Sequence, residues 1–261
     1  MSVLINRNLL DQTTFRSTSP AGLACVIHTV AHEGEHELQL LGETEAPTET
    51  VPVTIASQHP GPTAPAARLE VNPTAFGAAR RRRGPSEPPL HQLLQPGAHL
   101  LINTPVPQDA RRVRLVRKAD GAVVFDSASL GAGDRFAVTL IRPGRYQIEN
   151  QLDGSKLILT VEYPVTGPLP YRPPPPMQIA CTAAGFEARA TLVKPLQGLI
   201  FLCSAPARLH LELCEPDDGP RPEAGPGPRR QAPDRHDGTT DASRPVLHRV
   251  QRTFRSTRED G

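Results

Sequence analysis

The chain has 261 residues, of which 30 are proline and 20 glycine, so these two types make up about a fifth of it against an ordinary ~12%. Net charge is +2, charged residues are 21%, hydrophobic residues 38% and aromatics 4%, with no tryptophan. Proline at this density excludes a long helical bundle, the apolar content and low net charge exclude a wholly disordered chain, and no apolar run approaches the ~18 residues of a membrane helix.

A soluble, mostly β protein with proline-rich connections is the expectation. The balanced charge predicts neither nucleic acid nor membrane as a partner. Met1 to Asn8 contains no basic stretch followed by an apolar one, so no signal peptide is read there and the expected location is cytoplasmic. Cys25, Cys181, Cys203 and Cys214 lack C-x-x-C spacing and read as reduced, small apolar side chains.

Residues 20–41 admit two readings. Leu23, Ile27, Val30, Gly34, Leu38 and Leu41 fall on one helical stripe after Ser19-Pro20, with Gly42 as a stop. The same stretch also reads as two strands meeting at a turn around Gly34. Val51 to Ile55 is strand-like, and residues 58–67 form a proline-rich linker. The run Arg80 to Arg83 with Pro85, Pro88 and Pro89 reads as an exposed loop. It lacks the interleaved aromatics that single-strand nucleic-acid binding needs.

Arg112 to Arg117 alternates, Lys118 to Gly121 supplies a hairpin turn, and Ala122 to Phe125 returns. Phe136 to Ile141 predicts a strand whose partner starts at Tyr146 after Pro143-Gly144. Asp153-Gly154 then turns the chain into Leu157 to Val161. Residues 164–176 are a second linker with a polyproline spacer. Leu209 to Cys214 alternates again, placing His210, Glu212 and Cys214 on one face. Residues 216–261 are expected to be a disordered tail, with Val246 to Phe254 able to order on contact.

An internal echo connects distant segments. Thr29 to Leu38 aligns with Thr139 to Ile148 at an offset of 110 residues, with turn glycines at Gly34 and Gly144, and Val51 to Ile55 matches Leu157 to Val161. This predicts two copies of one β unit.

Phe186 to Phe201 has the shape F-x-x-x-x-x-L-x-x-P-x-x-G-x-x-F, and Gly133-Asp134-Arg135-Phe136 is followed by Pro143-Gly144-Arg145-Tyr146. These patterns resemble the opening and closing halves of cupredoxin-like β-sandwich domains. The resemblance implies an all-β fold of two cupredoxin-like, Greek-key sandwich units. Residues 68–163 would form a complete sandwich, 1–57 a closing half and 177–215 an opening half. The two halves would pair, because each alone leaves an apolar face and an open edge.

The family's type-1 copper ligands are not carried over. Where its cysteine would follow the turn tyrosine the chain has Ile148, and in the first copy Leu38; the next ligand position falls near Asn150 and Gln151, and the methionines are Met1 and Met177. A relocated copper site would have to draw on His28, His99 or His210 with a cysteine.

His32-Glu33-Gly34-Glu35-His36 is a literal H-E-x-x-H. On a helix, His32 and His36 would bind zinc and Glu33 would act as general base, which resembles the zincin metallopeptidases. Gly34 in mid-helix, a missing third ligand (Gly42 stands at the metzincin position) and the echo oppose that reading. Tyr146 is expected to pack or make a corner hydrogen bond, and Cys25 to be a buried thiol. No nucleophile elbow, P-loop or dinucleotide-binding glycine pattern occurs.

The function expected is therefore non-catalytic: a structural or interaction protein without cofactor, presenting sheet edges to a protein partner or to itself. The alternatives are a zinc metallopeptidase at His32, Glu33 and His36, and a copper or electron-transfer protein with relocated ligands.

Overall fold

The computed structural model of the chain describes residues 9, 11–42, 45–58, 64–73, 91–105, 111–163, 171–188 and 190–219. All lie in the first of two units, Met1–Arg221; the second, Pro222–Gly261, falls outside the described residues. The expected disordered tail beyond residue 219, the Arg80 to Arg83 run and residues 59–63 and 164–170 of the two linkers also lie outside them.

The described residues are nearly all β. The strands are β1 (Thr14–Arg16), β2 (Ala24–Thr29), β3 (Gly34–Leu41), β4 (Pro47–Ile55), β5 (Ala66–Val71), β6 (Gln92–Ile102), β7 (Arg112–Arg117) and β8 (Val123–Asp126). They continue as β9 (Arg135–Thr139), β10 (Gly144–Asn150), β11 (Lys156–Val161), β12 (Met177–Thr182), β13 (Gly185–Phe186), β14 (Ala190–Val193), β15 (Gly198–Cys203) and β16 (Leu209–Pro216). Period-two alternation decides their faces. In β10, Tyr146, Ile148 and Asn150 are buried while Arg145, Gln147 and Glu149 point outward. In β7, Val113 and Leu115 are buried between arginines.

One sheet has the order β1-β16-β10-β11-β14. The other runs β13-β12-β15-β9-β2-β6-β4-β3-β7-β8, with β5 beside β6. Their buried faces meet in one apolar cluster that includes Phe15, Leu38, Leu100, Leu115, Phe136, Ile148 and Phe201.

Two expected hairpins form. β7 pairs antiparallel with β8 around Gly121, whose φ of 71° suits the turn, and β10 pairs with β11 around Gly154. Two others do not. β9 pairs with β2 and β15, not with β10, and β2 pairs with β6 and β9, not with β3. Gly34 (φ 122°) and Gly144 (φ 136°) turn the chain from one set of partners to another instead of folding it back on itself. Four residues before each glycine a buried residue, Val30 or Leu140, is tied to a bend in another segment. Gly97 N–H donates to Val30 O at 2.7 Å, and Leu196 N–H donates to Leu140 O at 2.9 Å.

Strand pairing also crosses the expected unit borders. β9, from the segment read as a complete sandwich, lies between β2 and β15, and β10 pairs with β16. β1 and β16 form a direct ladder between residues 1–57 and 177–215. β5 begins at Ala66, inside the expected 58–67 linker, and β16 runs on to Pro216. Prolines mark where the chain changes direction, but they do not decide which strands share a sheet.

Some widely separated positions have comparable partners. Val26 and Phe136 face each other across the antiparallel β2–β9 ladder. Phe15 pairs with Leu211 and Phe125 with Leu115. Leu209 N–H donates to Ser17 Oγ, and Val113 N–H donates to Ser127 Oγ, both at 3.0 Å. β6 bends at Pro96-Gly97 (φ 82°), where the chain later has Pro195-Leu196 (φ 61°) between β14 and β15.

Candidate functional site

The buried polar side chains hold backbone together. Ser17 and Ser127, both fully buried, each accept a backbone N–H at the end of an edge strand. Asn150 Oδ1 accepts from Arg208 N–H at 2.8 Å, and its Nδ2 donates to Asp153 at 2.8 Å. Asn103 Nδ2 donates to the carbonyls of Gly22 and Ala24. Such bonds stabilise because an unpaired buried group would cost ~1–3 kcal/mol.

Among the described residues, the most enclosed contact between ionisable side chains lies between neighbouring strands. His28 Nδ1 is 2.7 Å from Asp134 Oδ1, with the two side chains 14% and 6% exposed. Asp134 Oδ2 accepts the Gly131 N–H at 2.7 Å, and the His28 ring leans against Phe125 at 4.6 Å between centroids. The pair ties the start of β9 to β2. Nothing in the sequence patterns singled it out beyond the Gly133-Asp134 motif.

The H-E-x-x-H residues are not on a helix. Residues 24–29 and 34–41 are strands, so the helical reading of 20–41 is replaced by two strands and a short connection. His32 and Glu33 lie exposed in that connection, and His36 is buried at 1%, with its Nδ1 3.0 Å from Gly34 O. The Glu33 carboxylate accepts both the N–H and the hydroxyl of Ser57. The physical reason is Gly34. Its positive φ fits a change of direction and would break the helical spacing that brings the two imidazoles together.

The copper-ligand positions Leu38 and Ile148 are closed core sites, each 0% exposed. His99 Nδ1 is 3.1 Å from Thr29 Oγ1. His210, Glu212 and Cys214 share the outward side of β16, opposite buried Leu209 and Leu211, and His210 Nε2 is buried without a partner. Among the described residues, no group of three or more His, Cys, Asp or Glu is placed to hold a metal ion.

Cys181 and Cys203 are register neighbours on β12 and β15, both buried. The hydrogen bond to Cys203, together with burial, pushes the Cys181 thiol well above its ordinary value. Burial also raises Cys25, which makes it a poor nucleophile. Tyr146 donates its hydroxyl to Arg142 O at 3.0 Å, the corner bond expected from sequence, and burial pushes its pKa up to about 12.

These raised groups make stability depend on pH. The folded chain keeps the Tyr146 proton where the unfolded chain, with a tyrosine near 10, releases it. Thermal melts should therefore show stability falling as pH rises from about 10 toward about 12, with the Cys181 loss beginning near 9.0. Tyr146→Phe should flatten the upper part of that decline.

Among the described residues, two open grooves stand out. One, of about 640 Å³, runs past Arg145, Glu162, Tyr163, Lys194 and Glu215; Lys194 pairs with Glu162 and Arg145 with Glu215, so its charges answer one another. The other, of about 360 Å³, is lined by Leu23, Cys25, Ala137, Pro176 and Ile200 on the outward side of β2, β9 and β15. Neither gathers a nucleophile, base and electrophile. Comparison with protein families, curated proteins and solved structures finds no match for the chain.

Proposed function

We propose that the chain is a non-catalytic structural or protein-interaction protein built from two copies of one cupredoxin-like β unit without copper. The observation that carries this reading is the engagement of its chemistry-bearing side chains in structural bonds: His28 with Asp134, His36 with Gly34 O, Glu33 with Ser57 and Tyr146 with Arg142 O. The matching parts at an offset of 110 support duplication. At that offset β2 corresponds to β9 and β3 to β10, and with shorter offsets β4 corresponds to β11 and β6 to β14 with β15. In this reading the first strand of each copy, β1 or β8, completes the sheet of the other copy beside β16 or β7. A protein partner would be met by the edges β1, β14 and β8, whose outer backbone groups have no strand beside them among the described residues.

Metal analysis tests the reading. Purified protein exposed to zinc and to copper(II), then dialysed, should retain no stoichiometric metal and should melt at the same temperature with and without chelator. Zinc retained at one equivalent and lost in His32→Ala would overturn it in favour of metal chemistry.

A further inference from the structure

β1 is the weakest link of its sheet. It has three residues, stands at the edge and pairs only with β16. Its hold on the fold comes from a small set of contacts. Phe15 is 2% exposed in the core, Ser17 N–H donates to Leu209 O, Leu209 N–H donates back to Ser17 Oγ, and Leu213 N–H donates to Thr13 O. The matching place beside β7 is filled by Phe125-Asp126-Ser127, which shares only the Phe-x-Ser spacing with Phe15-Arg16-Ser17. Phenylalanine and serine two apart are therefore what such an edge position reads.

The segment Thr14-Phe15-Arg16-Ser17-Thr18 occurs a second time in the chain, as Thr253-Phe254-Arg255-Ser256-Thr257. We infer that Thr253 to Thr257 of a second copy can take the place of β1 beside β16, as a donated strand. The register carries over directly, with Thr253 opposite Glu212, Phe254 opposite Leu211 and Arg255 opposite His210, and Ser256 Oγ accepting the Leu209 N–H. Exchange of one strand for another of the same sequence leaves the number of hydrogen bonds and the buried phenyl ring unchanged, so what opposes it is the freedom lost on association, and exchange grows with concentration. The contact joins the end of one chain to the edge of the next. It is heterologous, so copies assemble head to tail, as rings or as open chains. The inference deepens the interaction reading by naming a second copy as the partner, and the two fail separately: bound metal would overturn that reading alone, and absent exchange would overturn this one alone.

The full chain carrying Cys214→Ser, Glu212→Cys and Thr253→Cys tests the pairing. Mild oxidation should give covalent dimers and higher species whose cross-linked peptides join positions 212 and 253. Adding Phe254→Ala and Ser256→Ala should abolish them, while Thr14→Cys with Glu212→Cys reports that the edge can be linked. A 212–253 link that is absent, that forms only within single chains, or that survives Phe254→Ala overturns the proposal. Sedimentation gives an independent reading without introduced cysteines. The average mass of the unaltered chain should rise with concentration, fall back on adding a synthetic peptide of residues 250–259, and stay monomeric in Phe254→Ala. A chain that is monomeric at every concentration overturns it equally.

Discussion

Phe136→Ala should lower the free energy of unfolding by about 3–5 kcal/mol. The ring is 0% exposed and sits on β9, between β2 and β15, facing Val26 on one side and Phe201 on the other, 6.1 Å between ring centroids. Both neighbouring strands are held in ladders, so the walls of the cavity have little freedom to collapse. Val26→Ala, at the matching position, removes fewer atoms and should cost about 2 kcal/mol. Urea unfolding of both variants checks the order. Equal and small losses would mean that the β2–β9 ladder is not the middle of a packed core.

Gly144→Ala should be the most damaging glycine change, with a loss of about 3 kcal/mol or more, and Gly34→Ala should cost about 1–3 kcal/mol. Both glycines have positive φ, so an alanine is strained at either. At Gly144 an added Cβ would also lie 2.4 Å from Glu215 O and 2.9 Å from the Pro216 Cα, and those backbone atoms are fixed by the β10–β16 ladder. At Gly34 nothing lies within 4 Å. Denaturation midpoints of the two variants should differ accordingly; equal losses would contradict a close approach of β16 to Gly144.

Local signals in the sequence predict the structure where it depends on near neighbours. The β7–β8 hairpin follows from Asp120-Gly121 between alternating strands, and the β10–β11 hairpin from Asp153-Gly154. The alternation of Leu209 to Cys214 and the corner bond of Tyr146 belong to the same kind of evidence. The turns at Gly34 and Gly144 form where the sequence predicts them but close no hairpin, because a glycine with positive φ permits a sharp change of direction without saying which strand will lie alongside. The H-E-x-x-H spacing has chemical meaning only on a helix, and helical and extended readings of 20–41 share the same apolar residues.

By itself the sequence determined an all-β chain, the approximate strands and the turn glycines. Those features are set by alternation and by backbone freedom within a few residues. Only the tertiary structure decided that β9 lies between β2 and β15, that β1 pairs with β16, and that His28 meets Asp134. Partners more than 100 residues apart are chosen by which apolar faces and open edges remain to be covered once every strand is formed, and no local pattern encodes that choice. The high proline content punctuates the chain, and the ladders disregard the punctuation.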